Sequence, residues 1–195
     1  YLYKVIVLAN KSLDIISSKS GLLSAAQQEE YRAEVRAIRA MFYYYAMDMF
    51  GRVPLVLSSA EQLHSSLFQG QTDRSSIFQF VFQELQQVLP SLPDQHSNKE
   101  GNYYGRITQP VVNFLLAKLA LNAEIYMYDD WTQGYASRPK GSDIHFSVPA
   151  SDASLHGGDK ELNAWETCIY YCDKLAEEGY VLESDDAFNF STHNE

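Results

Sequence analysis

The densest collection of chemistry-bearing side chains is one stretch, Tyr126-Met127-Tyr128-Asp129-Asp130-Trp131-Thr132-Gln133-Gly134-Tyr135, which sets one Trp and three Tyr beside two carboxylates and an amide. Aromatic faces flanked by hydrogen-bonding groups suit binding, because the rings offer apolar surface while the polar groups fix orientation. A smaller version, Asn102-Tyr103-Tyr104, lies within residues 98–106. Nothing comparable marks a reacting centre. Asp129/Asp130 and Asp185/Asp186 are adjacent pairs in loops, unlike the opposed acid and base that a glycosidase holds about 5–10 Å apart. His64, His96, His145, His156 and His193 are isolated, with neither two-histidine helical spacing nor a cysteine partner. Cys168 and Cys172 stand four apart on one predicted helix, badly placed for a disulfide and without further metal ligands, so they read as buried small apolar residues. No glycine-rich phosphate loop is present. The residues therefore offer no catalytic group, no metal site and no cofactor site.

Composition narrows the partners. The net charge is −10 and no basic run occurs anywhere, so the electrostatic footprint of a nucleic-acid binder is missing, and neutral or cationic ligands fit better than polyanions. Hydrophobic residues make up 46% and charged residues 21%, a balance that belongs to a packed domain rather than a disordered chain. No apolar stretch approaches the roughly 20 residues that span a bilayer, and the start shows no export signal. Tyr1, Val5 and Leu8 follow helical spacing from the first residue, as expected of a trimmed precursor.

Five helices must position these residues. Apolar periodicity predicts the first over 1–18 and the second over 25–50, the latter with Val35, Ile38, Phe42, Tyr45 and Met49 as its core stripe. Arg32, Arg36 and Arg39 are expected on the opposite side, with Glu29 placed to pair with Arg32 or Arg36. Gly51 stops this helix and Pro54 forces residues 52–56 to be extended. A third helix over 75–89 is capped by Asp73 or Ser75 and buries Phe78, Val81, Phe82, Leu85 and Leu89. Thr108 caps a fourth, over 108–126, that is apolar on more than half its circumference, and a fifth covers 162–178. Strict alternation never persists long enough for a sheet. The expected fold is all-α: tandem helix hairpins in a tetratricopeptide-like array with long irregular loops, helices one and two forming one hairpin, three and four a second, and the fifth beginning a third. Ala33, Ala37, Ala40, Ala117, Ala120 and Ala123 suit close helix pairing.

Four ordered segments carry a family resemblance. RAEVRAIRAMFYYYAMDMFGRVPLV, residues 32–56, is an arginine-rich helix with consecutive aromatics followed by Phe-Gly and Pro-Leu. Arg74 leads into Ile77, Glu84-Leu85 and Leu89-Pro90, and Gly105-Arg106-Ile107-Thr108 precedes Ala117-Lys118-Leu119. Trp165, Asp173-Lys174 and Gly179-Tyr180-Val181-Leu182 follow, with Phe188, Asn194 and Glu195 at the end. Together these resemble the SusD/RagB family of surface nutrient-binding lipoproteins, and residues 1–195 read as one SusD-like helical domain, its N-terminal and middle part. Arg36, Arg39 and Arg106 are expected to bond carboxylates or helix C-termini within the scaffold.

The resemblance implies capture of a glycan or oligosaccharide at the outer membrane, as a cell-surface lipoprotein anchored by a lipid outside this chain, and delivery to a SusC/RagA-type TonB-dependent transporter. Under that implication Trp131 would be a stacking platform with Tyr128 or Tyr135 beside it, and Asp129, Asp130 and Gln133 would bond sugar hydroxyls. Asn102, Tyr103 and Tyr104 would form a secondary contact. The alternative from the residues alone is a tetratricopeptide-like interaction module, binding peptide or docking the transporter without a glycan site of its own.

Overall fold

The computed structural model describes residues 1–19, 21–60, 70–149 and 161–180. Its helices are α1 (Leu2–Ser18), α2 (Ala25–Phe50), α3 (Arg74–Val88), α4 (Gln109–Leu121), the short α5 (Ala123–Tyr126) and α6 (Ala164–Glu177). Two three-residue strands, β1 (His145–Ser147) and β2 (Glu161–Asn163), pair antiparallel with Phe146 opposite Leu162. The fold is all-α apart from this ribbon, as periodicity predicts. His64, His156, His193, Asp185, Asp186, Val181, Leu182, Phe188, Asn194 and Glu195 lie outside the described residues.

The helix ends follow their caps. Ser24 and Gln27 bond reciprocally at the start of α2, and Asn163 and Glu166 do the same for α6, each pair satisfying backbone N–H groups that have no partner within the helix. Gly51, at φ +70°, ends α2 with its N–H on Met47 O at 2.8 Å. The fourth predicted helix is in fact broken into α4 and α5 at Asn122, whose Nδ2 takes the Lys118 carbonyl at 2.9 Å. An asparagine side chain competing for a helix carbonyl is a common reason for such a break.

The face that α2 buries is not the predicted stripe. Ala33, Ala37, Ala40, Tyr43, Tyr44, Ala46 and Met47 are buried, whereas Val35, Ile38 and Phe42 are half-buried and Tyr45 and Met49 exposed. Small alanines let neighbouring backbones approach closely, and so define the contact face where large residues alone would misplace it. The rotation also carries Arg39 inward. It is buried, donating to Glu84 of α3 at 2.6 Å and to Asn10 of α1 at 2.9 Å. Arg36 grips the same carboxylate at 3.0 and 2.7 Å. Arg32 instead reaches Ser17 and Glu29 accepts from Ser91, so the local pairing expected on this helix gives way to contacts between elements.

α1 packs on α2, α2 on α3, and α4 on α6, while α3 and α4 touch much less. The second hairpin expected from the sequence is therefore weak, and the strong pairs are α1 with α2, α2 with α3 and α4 with α6. Residues 52–57 run extended over this array, held by Tyr3 Oη on Pro54 O at 2.6 Å, Asn10 Nδ2 on Val56 O at 2.9 Å, and the Tyr43 hydroxyl, which bonds both Val56 O and Val56 N at 2.8 Å. Arg106 bonds Glu30 at 2.7 Å and also Glu34, tying the loop before α4 to α2. Both cysteines are free; Cys168 is half-buried and Cys172 exposed, which corrects their reading as buried. Burial and the neighbouring Cys172 push the Cys168 thiol up to about 11.

Candidate functional site

Three segments converge at the end of α2: Phe50-Gly51-Arg52, the stretch from Gln71 to Arg74 that starts α3, and residues 128–132 of the aromatic loop. Between them lies a cleft of about 620 Å³, within the roughly 300–1,000 Å³ of ordinary ligand sites. Phe50 and Trp131 bring exposed rings to it, 68% and 51% accessible. Phe50 is exposed because the Gly51 stop leaves the last turn of α2 beyond the core.

The loop is placed by hydrogen bonds to α3. Asp73 makes no side-chain cap there. Asp129 caps instead, accepting from Ser75 N at 3.1 Å and from the Ser75 hydroxyl, a favourable use of a carboxylate at a helix N-terminus. Arg74 Nη2 donates to Tyr128 O at 2.6 Å, and its guanidinium lies 4.9 Å from the Trp131 ring centroid, within cation–π range. Burial draws Arg74 below the usual guanidinium value, opposed by the Asp129 carboxylate. Arg52, which also lines the cleft, pairs with Asp73 at 3.0 Å.

Several residues expected to touch ligand make contacts within the protein. Tyr128 is buried, its ring edge-on to Trp131 at 4.7 Å and its hydroxyl on Gly134 O at 2.6 Å; it supports Trp131 and has no free face for stacking. Asp129 is occupied by the cap. Asp130 accepts from Thr132 N at 3.1 Å, Thr132 Oγ1 at 2.6 Å and Gln133 Nε2 at 2.7 Å, and these bonds hold its carboxyl below the ordinary range. Gln133 is thereby committed within the loop. Tyr135 is exposed but lies outside the cleft, covered by the Arg138 guanidinium at 3.8 Å, while Arg138 itself is fixed on Glu124 at 2.9 Å. Of the expected set, Trp131 alone brings an exposed ring to the cleft. Phe50, Arg52, Gln71 and Arg74 join it without having been singled out for binding, because Phe50 and Arg74 lie in segments that read as scaffold.

The second loop opens on a separate cavity of about 420 Å³ lined by Asp94, His96, Glu100, Asn102 and Tyr103 among others. Tyr103 lies under Arg106 at 5.2 Å, and Tyr104 is exposed away from the cavity. The two loops therefore do not build one site. Among the described residues no cluster of His, Cys, Asp and Glu is arranged for a metal ion, and no helix is long and apolar enough to cross a membrane.

No family model matches the chain. Individual proteins do. The starch-binding protein SusD of Bacteroides thetaiotaomicron is 25% identical over 150 residues, covering 75% of this chain and 26% of SusD. A SusD-like protein of Bacteroides ovatus is 27% identical over 170 residues, covering 87% of this chain and 29% of its own length. Over the stretch it spans, the chain is similar to SusD and SusD-like proteins, and this similarity supports the resemblance to the SusD/RagB family. Among solved structures, a laminarin-binding SusD-like protein superposes with a TM-score of 0.54 at 25% identity, covering 65% of this chain and 26% of that one. This SusD-like chain thus spans between a quarter and three tenths of the length of the curated relatives it matches. The arginines that carry the resemblance make contacts within the scaffold: Arg36 and Arg39 meet Glu84, and Arg106 meets Glu30 and Glu34.

Proposed function

We propose that this SusD-like chain helps to capture an oligosaccharide at the outer surface of the cell and to deliver it to a SusC/RagA-type TonB-dependent transporter in the outer membrane, the protein being held there by a lipid anchor outside this chain. The observation that carries the reading is the cleft with two exposed rings, Phe50 and Trp131, rimmed by Arg52 and Arg74. Rings of this kind meet the apolar faces of sugars, and guanidinium N–H groups donate to their hydroxyls. Relatives named for starch and laminarin support the ligand class.

Binding rather than catalysis is favoured because the carboxylates at the cleft are already committed. Asp129 holds α3 and Asp130 holds its own turn, which leaves neither as a general acid or base opposite the other. Isothermal titration of the whole protein with malto- and laminari-oligosaccharides tests the proposal. Trp131→Ala should weaken binding about tenfold, ~1.4 kcal/mol, for loss of one stacking platform. Unchanged affinity in that variant, or turnover of the sugar, refutes the assignment. For delivery, co-purification with the transporter should survive Trp131→Ala, since that change empties the cleft without altering the scaffold.

A further inference from the structure

A second groove, about 440 Å³, lies between α3 and β1 and differs in chemistry from the Trp131 cleft. Gln79, Gln83 and Gln86 line one wall, their spacing of four and three placing them on a single helix face. Met127 and β1 form the other wall. The part-exposed Phe146 stacks on Phe82 at 4.0 Å and 23°, adding an aromatic surface. Gln86 Nε2 donates to Ser147 O at 2.8 Å and to the Tyr171 hydroxyl at 3.0 Å. The Gln79 amide meets only the Met127 sulfur, at 3.7 Å, a weak acceptor. Gln83 stands exposed between them.

The lining contains no Asp, Glu, Lys or Arg, in a chain of net charge −10. A cationic ligand would find no countercharge in it, and an anionic one only the His145 imidazole. Strand addition along β1 is disfavoured as well, because Gln86 already occupies the Ser147 carbonyl. Carboxamides both donate and accept, which matches hydroxyl groups that do the same. From residue 79 to residue 86 the helix rises roughly 10 Å at about 1.5 Å per residue, the length of a disaccharide.

We infer that this groove is a second carbohydrate subsite, taking a disaccharide-length stretch of uncharged oligosaccharide, with Gln79 and Gln83 bonding hydroxyls and Phe146 meeting a ring face. The inference rests on the reading of the chain as glycan-binding. Its test is titration of the whole protein with neutral laminari- and malto-oligosaccharides and with a uronate-containing oligosaccharide, in wild type, Trp131→Ala and Gln79→Ala/Gln83→Ala. Both glutamines lie on the surface, so the double variant should keep the wild-type Tm. It should bind the neutral sugar about tenfold more weakly, as two lost hydrogen bonds predict, and its defect should multiply with that of Trp131→Ala. Wild-type affinity in the double variant, alongside a loss in Trp131→Ala, overturns the groove and leaves the cleft standing. A preference for the uronate sugar that the double variant abolishes overturns the neutral class. If wild type binds no oligosaccharide at all, the glycan-binding reading fails and the groove with it.

Discussion

Replacing Glu84 by glutamine tests whether the arginine-rich helix is scaffold. The Glu84 carboxylate takes Arg39 Nη2 at 2.6 Å and Arg36 Nε and Nη2 at 3.0 and 2.7 Å. The Arg39 and Glu84 side chains are each 8% exposed, against 27% for Arg36. Removing one partner of a buried ion pair costs about 3–5 kcal/mol because the other charge is left buried and uncompensated. Arg39 keeps Asn10 and Leu57 O as neutral acceptors and Arg36 keeps Gln87, so the lower end, about 3 kcal/mol, is expected. At roughly 2–4 °C per kcal/mol for a chain of this size, Tm should fall by about 6–12 °C. Arg39→Met combined with Glu84→Gln should cost much less than the two changes summed, since each single change leaves the other partner's buried charge without its counterpart. Acid should narrow the gap. Burial alone would raise the Glu84 carboxyl, but the hydrogen bonds and charges of Arg36 and Arg39 outweigh it and hold it low. Its contribution is thus complete above the unfolded value of about 4.3 and is lost as pH falls through the folded value. Calorimetric melts at pH 7 and below pH 4 measure both effects. A loss under about 1 kcal/mol at pH 7 would mean that the pair behaves like a surface one, and the scaffold argument would fail.

Two further changes probe the other end of the array. Burial, and then the neighbouring Asp94, raise the Glu178 carboxyl, against Asn113, Lys174 and His96; a raised folded value favours the protonated form, so stability drains as pH rises through it. Glu178→Gln, which keeps an acceptor for Asn113 Nδ2, should melt above wild type at pH 7 and lose that advantage below about pH 4, and a lower Tm at pH 7 would contradict the assignment. A Cβ on Gly141 would sit 2.5 Å from Trp165 Nε1, so Gly141→Ala should displace the indole, cost about 1–3 kcal/mol by overpacking and shift the tryptophan emission; a wild-type melt and spectrum would show that the contact yields freely.

Much of the helix pattern was legible because it rests on local chemistry. Gly51 and Pro54 act on their own backbone, and the end of α2 follows. The face of α2 was not legible from its large residues, since the side that packs is chosen by what it packs against, here through Ala33, Ala37 and Ala40. The start of α3 shows the same limit. Asp73 is the local candidate for its cap, yet the capping carboxylate is Asp129, fifty-four residues from Ser75, and no spacing rule reports a partner that distant. The aromatic loop stood out by composition, but composition does not distinguish a ring that supports from a ring that contacts. Tyr128 and Trp131 are three residues apart, and burial alone separates them.

The Asp129 cap also explains how a loop can hold the proposed recognition surface in place. A loop anchored at its ends alone would leave Trp131 to sample many positions, and a binding platform loses affinity for each freedom it must give up. Here the carboxylate two residues before Trp131 is fixed on the first turn of α3, the preceding carbonyl is fixed on Arg74, and the same guanidinium lies beside the indole. Arg74 thus belongs to both scaffold and cleft. The helices that Glu84 clamps together set the position of α3, and the N-terminus of α3 sets the position of Trp131. The arginines that carry the family resemblance and the ring proposed to meet a ligand are in this way successive links of one chain of contacts.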